Sequence, residues 1–173
     1  AHLDPFLSLL LPLVIYTVLG IPFGAGKPVP VNIRRLGHPR RDWMLVALAG
    51  PLSNLSLAVF FAALWWGIDR AGLAQYPSLA PKLFSIAIVM NVVLAIFNLI
   101  PIPALDGSRV VGYLLPRELA YRWYDLDRYG FLIVAALLIL PRVNPNLDVL
   151  GTIVVQVRDH VLYWLRSLTG LPI

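Results

Sequence analysis

Apolar residues run along this chain in long blocks separated by short polar stretches, and several blocks approach the length of a membrane crossing. The first extends from Phe6 to Phe23 and contains Pro12 and Gly20. A polar stretch follows from Gly24 to Asp42, carrying Lys27, Arg34, Arg35, Arg40 and Arg41 against a single acid. Its Pro28-Val29-Pro30 can neither continue a helix nor pair fully in a sheet, so it reads as a short Pro-rich loop. The second block, Trp43 to Ile68, is the most convincing span and ends in Trp65-Trp66, side chains suited to a membrane interface. Only Asp69 to Pro81 separates it from the third, Lys82 to Ile100, so these two predict an antiparallel helical hairpin. The fourth, Tyr129 to Leu140, meets Pro141 and is short beside the roughly 20 helical residues that a full crossing takes. The last stretch, Asp148 to Leu168, mixes apolar residues with Gln156, Arg158, Asp159, His160 and Arg166, the composition of an interfacial helix. The predicted fold is all-α: a polytopic transmembrane helical bundle of about 3–5 membrane helices, forming one transmembrane domain over residues 1–173.

Composition sharpens this reading. Hydrophobic residues make up 59% of the chain and charged residues 13%, against about 45–50% and about 25% in soluble domains, so lipid is the expected solvent and the bilayer the expected surroundings. A net charge of +5 could suggest nucleic acid. The basic residues, however, sit beside apolar blocks instead of forming one solvated stripe, so membrane orientation explains them and no nucleic-acid partner is expected. The basic loop at 24–42 and the mixed-charge segment at 101–128 flank the same hairpin, which puts both on one side, the cytoplasm under the positive-inside rule. There is no cysteine, so any metal must be held by histidine or carboxylate.

Polar side chains at membrane depth are costly and become candidates for function. Asn91 and Asn98 are seven residues apart, on one face of the third block, and Asn54 lies in the neighbouring block just past Gly50-Pro51. The plainer reading of all three is interhelical hydrogen bonding, worth about 0.6–2 kcal/mol each. Asp106 differs in kind: Pro101 and Pro103 stop the helix, and Gly107 permits a turn that aims the carboxylate back toward the bundle. An Asp-Gly turn at the interface is the simpler alternative.

The stretch Asn91-Val-Val-Leu-Ala-Ile-Phe-Asn98-Leu-Ile-Pro101-Ile-Pro103-Ala-Leu-Asp106-Gly107-Ser-Arg109 resembles the aspartate-bearing motif of the site-2 protease family, intramembrane zinc metalloproteases. Ala49-Gly50-Pro51-Leu52-Ser53-Asn54 is similar to that family's Gly-Pro-x-x-Asn element, Lys27-Pro28-Val29-Pro30-Val31-Asn32 to the loop before that element in its compact bacterial branch, and His2-Leu3-Asp4-Pro5 to the segment after its catalytic helix. The resemblance spans about residues 1–130 in the family's order, with hydrophobic and amphipathic helices at 129–168 beyond it. It implies Zn2+ as cofactor with Asp106 as its third protein ligand and Asn54 positioning the substrate backbone; Asn91 and Asn98 are candidate substrate-binding residues from their polar character at membrane depth. The resemblance further implies hydrolysis of peptide bonds in a transmembrane protein substrate by a multi-pass protein of the bacterial cell membrane.

One departure is serious. Family members carry H-E-x-x-H, two histidines on one helix face beside a glutamate base; the histidines here are His2, His38 and His160, no two four apart and none followed by Glu. The natural reading frame is therefore expected to begin before Ala1 and to encode that helix. The rival readings are a non-catalytic membrane binding or regulatory protein on the same fold, and a small transporter, whose inverted repeats are not visible. Cysteines placed at Arg35 and Arg122 are expected to react with an impermeant label from the same side of the membrane; labelling from opposite sides would refute the hairpin.

Overall fold

The computed structural model describes residues 37–73 and 79–171; the first apolar block, the Pro28-Val29-Pro30 loop and His2 lie outside the described residues. The described residues form helices α1 (Pro39–Arg70), α2 (Leu79–Leu99), α3 (Asp106–Leu114), α4 (Arg117–Asp125), α5 (Gly130–Val143) and α6 (Val149–Thr169), with 3₁₀ turns at Leu126–Tyr129 and Pro145–Leu147. No strand occurs among them. The all-α expectation holds there, and among the described residues α1 and α2 are the two helices long and apolar enough to cross a membrane.

Helix α1 starts four residues before the apolar block does. Pro39 occupies its first turn, where the fixed φ suits a helix and the missing N–H has no intrahelical role. The Asp42 carboxylate accepts the His38 backbone N–H at 2.9 Å, closing that turn. Residues 39–42, which hydropathy assigns to the preceding loop, are therefore helical. Further along, Pro51 sits inside α1 and cannot donate to the Ala47 carbonyl four residues back. The helix continues, with Ser53 Oγ and Ser56 Oγ bonding back to the carbonyls of Ala49 and Leu52 at 2.7 and 2.9 Å, the local adjustment that lets proline stay in an apolar helix.

Small residues let α1 and α2 approach. Ala47, Pro51, Ala58, Ala62 and Trp65 form the buried stripe of α1, and Ala58 and Ala62 share one core with Ile88, Val92 and Ile96 of α2. Leu162 of α6 completes this core. Packing between small side chains is the usual source of helix association where no hydrophobic effect operates. Outward residues such as Leu52, Val59 and Phe60 on α1 and Leu79 and Leu83 on α2 are exposed, so both helices are apolar all round, as a helix surrounded by an apolar medium is.

The pair is antiparallel, and its register sets the level at which α2 ends. Trp65 packs on Phe84 with ring centroids 5.2 Å apart. From Trp65 back to Gly50, and from Phe84 on to Leu99, are both fifteen residues, about 22 Å of helix. The end of α2 thus lies level with Gly50. There Pro101 and Pro103 interrupt the run, and α3 resumes alongside the first part of α1, its C-terminal carbonyls reaching Arg40. Helices α2 and α3 together form one broken run antiparallel to α1.

Most of the mixed-charge segment 101–128 builds α3 and α4, both amphipathic. The fourth apolar block, expected to end before Pro141, is corrected: α5 carries Pro141 internally and ends at Val143. At 14 residues, or about 21 Å, it remains shorter than the roughly 30 Å hydrocarbon core.

Candidate functional site

Asp106 is the first residue of α3, with Leu105 extended before it. A carboxylate in the first turn is favoured there by the positive end of the helix dipole. Its Oδ2 faces Gly50 of α1 so closely that a Cβ on that glycine would stand 3.2 Å away. The residue is half-buried, and among the described residues no side chain or backbone group donates a hydrogen bond to it. A half-buried carboxylate without a partner is expensive, and such groups cluster at functional sites.

Along α1, Gly50 lies seven residues beyond Trp43, about 10 Å, level with the break between α2 and α3.

The asparagines separate. Asn54 is half-buried, one turn past Gly50 on the stripe of α1 that contains Pro51 and Ala58, so it shares the face and neighbourhood of Asp106. Asn98 is half-buried one residue before the end of α2, at the same level by the helix register. Asn91 lies two turns farther away and donates to the Ala87 carbonyl of its own helix at 2.8 Å. Asp106, Asn54 and Asn98 therefore sit at one end of the α1–α2 pair, while Asn91 does not.

Residues that sequence reasoning left unassigned hold this end together. Arg109 lies over Trp43 at 4.2 Å and over Tyr124 at 5.5 Å and pairs with the Asp127 carboxylate. Asp127 also accepts the Ala104 backbone N–H at 3.0 Å. Arg40 donates one terminal nitrogen to the carbonyls of Gly112, Tyr113 and Leu115 at 2.9, 3.0 and 2.6 Å, satisfying the end of α3. The indole of Trp123 donates to the Ser108 carbonyl at 3.0 Å.

The role expected of Gly107 also changes. It is helical, and the positive φ of this loop falls on Ala104, at 73°. What Gly107 provides is space: a Cβ there would come within 2.2 Å of the Leu99 carbonyl oxygen. The glycine lets the start of α3 lie directly on the end of α2.

As a metal site the described residues are incomplete. They contain no group of three His, Cys, Asp or Glu side chains able to hold an ion, whereas catalytic zinc takes three protein ligands. His38 and His160 are both exposed. Asp106 alone fits, as one unpartnered carboxylate.

Comparison with known proteins bears on what this end of the molecule does. Residues 68–140, which include the broken run and Asp106, match the sequence model of Peptidase family M50. The chain is 37% identical over 143 residues to "Putative zinc metalloprotease YwhC" of Bacillus subtilis (strain 168), covering 81% of this chain and 62% of that protein. It is 35% identical over 155 residues to "Putative zinc metalloprotease Rip2" of Mycolicibacterium smegmatis (strain ATCC 700084 / mc(2)155), covering 83% and 52%. A protein of the same name from Mycobacterium tuberculosis (strain ATCC 25618 / H37Rv) is 27% identical over 179 residues, covering 96% and 58%. The chain thus spans between half and two thirds of the length of these relatives. No solved structure matches it.

The unpartnered carboxylate has a consequence for stability. Ionised, it costs the folded state the water it has lost, and no donor among the described residues repays that cost; once protonated at low pH it no longer does so. With metal removed by chelator, Asp106→Asn should raise the melting temperature at neutral pH and leave it unchanged well below the ordinary carboxylate range. An Asn variant less stable at neutral pH would mean that the carboxylate has a partner.

Proposed function

We propose that the chain belongs to peptidase family M50, on the match of residues 68–140 to that family and its 37% identity to a putative zinc metalloprotease, and that it is the aspartate-bearing membrane part of a site-2-type zinc metalloprotease acting on membrane-spanning substrates. The single observation that carries the reading is Asp106: a half-buried carboxylate with no hydrogen-bond donor among the described residues, at the break of α2 and α3 and against a glycine of α1. Asp106 would supply one ligand to Zn2+, which when bound would act as Lewis acid toward a peptide carbonyl and its attacking water. The sequence holds no H-E-x-x-H, so the two histidines and the glutamate base of the family's site would come from residues outside these 173.

This chain's own residues would bind and orient. A transmembrane substrate reaching Asp106 must first unwind, because helical carbonyls are already hydrogen-bonded. Asn54, one turn from Gly50, offers both a donor and an acceptor to the freed backbone. Asn98, at the same level, offers a second such pair. In this reading α1 and α2 are two of about 3–5 crossings of a multi-pass protein of the bacterial cell membrane, and 6–23 supplies another. The region 1–130 would form the proteolytic core within one transmembrane domain, with the basic loop at 24–42 and the segment 101–128 toward the cytoplasmic side.

A second reading, a non-catalytic binding or regulatory protein on the same fold, draws on the missing histidine pair. One experiment divides the two. In the natural protein, Asp106→Asn should abolish cleavage of a membrane-spanning reporter while leaving the fold intact, a loss beyond the roughly 100–1,000-fold that removal of one stabilising donor costs. Asn54→Ala should slow turnover by no more than that range. Normal cleavage by the Asp106→Asn variant, or no cleavage by the unmodified protein, would favour the non-catalytic reading.

A further inference from the structure

Nothing in the main chain of the loop 100–105 looks able to hold its own shape. Its internal backbone bonds are two tight turns, Ile102 N–H to Ile100 O at 2.8 Å and Leu105 N–H to Ile102 O at 3.0 Å. Pro101 and Pro103 contribute no donors, and Ala104 stands at φ 73°, a region that costs an L-residue roughly 1–2 kcal/mol. That strain must be over-determined by the surroundings if it is to persist.

The surroundings are a two-armed contact from one residue. Asp127, at the 3₁₀ turn between α4 and α5, accepts the Ala104 N–H at 3.0 Å through one oxygen and pairs with Arg109 through the other. Ala104 lies two residues before Asp106 and Arg109 three after it, so Asp127 grips the chain on both sides of the site residue. Arg109 is in turn fixed over Trp43 of α1 and Tyr124 of α4, at 4.2 and 5.5 Å, and a planar guanidinium suits stacking and ion pairing at once. Close packing makes the arrangement tight. A Cβ on Gly130, just past the Asp127 turn, would come within 2.3 Å of the Ala104 Cβ, and one on Gly112 within 2.3 Å of the Tyr124 ring.

We infer that Asp127 and Arg109 are positioning residues for Asp106: Asp127 clamps the strained turn before it and the helix after it, and Arg109 ties that clamp to α1, the helix bearing Gly50. Neither residue touches the substrate in this account. They set where the carboxylate stands relative to α1, and a displacement of about 1 Å at such a site can cost about 100-fold in rate. The inference rests on Asp106 being the site residue, but position is measurable without any cleavage.

None of these 173 residues is cysteine, so the position of residue 106 can be read by cross-linking. In the natural protein in its membrane, Gly50→Cys with Asp106→Cys reports the site, and Ala62→Cys with Ile88→Cys, both in the α1–α2–α6 core, reports the fold. Adding Asp127→Ala or Arg109→Ala should slow oxidative cross-linking of the first pair at least about tenfold and leave the second unchanged. Asp127→Asn, which keeps an acceptor for the Ala104 N–H but loses the charge, should fall between. Equal rates for the first pair with and without Asp127→Ala would overturn the inference. If the Ala variants also slow the core pair, Asp127→Asn decides: selective slowing of the 50–106 pair supports the clamp, and no slowing overturns it. In enzyme retaining Asp106, Asp127→Asn should lower kcat with KM little changed; cleavage absent from the unmodified protein would sink the protease reading while leaving the cross-linking result to stand or fall separately.

Discussion

Two glycines keep side chains out of the space where three helices meet, and the placement of Asp106 depends on that emptiness. At Gly50 the surface of α1 is bare backbone, so the carboxylate can lie against it. At Gly107 the absence of a Cβ lets α3 begin directly on the last carbonyls of α2. A methyl group at the second would collide with backbone, which cannot swing aside as a flexible side chain can. The interruption by Pro101 and Pro103 supplies the break, and the glycines make it compact enough to carry a polar residue into an apolar bundle.

The rest of the described structure bears on this junction from two directions. The α1–α2 pair, set in register by Trp65 on Phe84, brings the end of α2 to the level of Gly50. The polar cluster of Arg40, Arg109, Trp43, Tyr124 and Asp127 binds α3 and α4 back onto the start of α1. One direction is apolar packing along the bundle and the other is charge and hydrogen bonding at its edge, with Asp106 where they join. Among the described residues the carboxylate is thus left without a donor although donors are abundant one turn away, where Arg109 is committed to Asp127 and the aromatic rings.

Much of the scaffold was legible in the sequence because long apolar runs bounded by tryptophan and proline have few other structural meanings. The spans around 43–68 and 82–100 differ from α1 and α2 by a few terminal residues, and the aspartate motif directs attention to Asp106. Other features were not legible, for physical reasons. Helices α3 and α4 are nine residues each, too short to show much periodicity, and their charges look like those of a loop. The start of α1 at Pro39 depends on a cap by Asp42 within polar sequence. Gly107 beside an aspartate suggests a turn, whereas its use is clearance, which depends on a backbone eight residues away in sequence. The ties of Arg109 to Trp43 and Asp127 join segments 66 and 18 positions apart, and no local pattern announces them; an arginine three residues after a candidate ligand was the signal available.

Under the proposed function, the carboxylate of Asp106 at this junction is a metal ligand and not a structural residue. Zinc content tests it most directly. After equilibration against buffered zinc, the natural protein should hold about one zinc per chain, and the Asp106→Asn variant, folded to the same extent, should bind at least about tenfold more weakly. Equal zinc affinity in the two proteins would contradict the account.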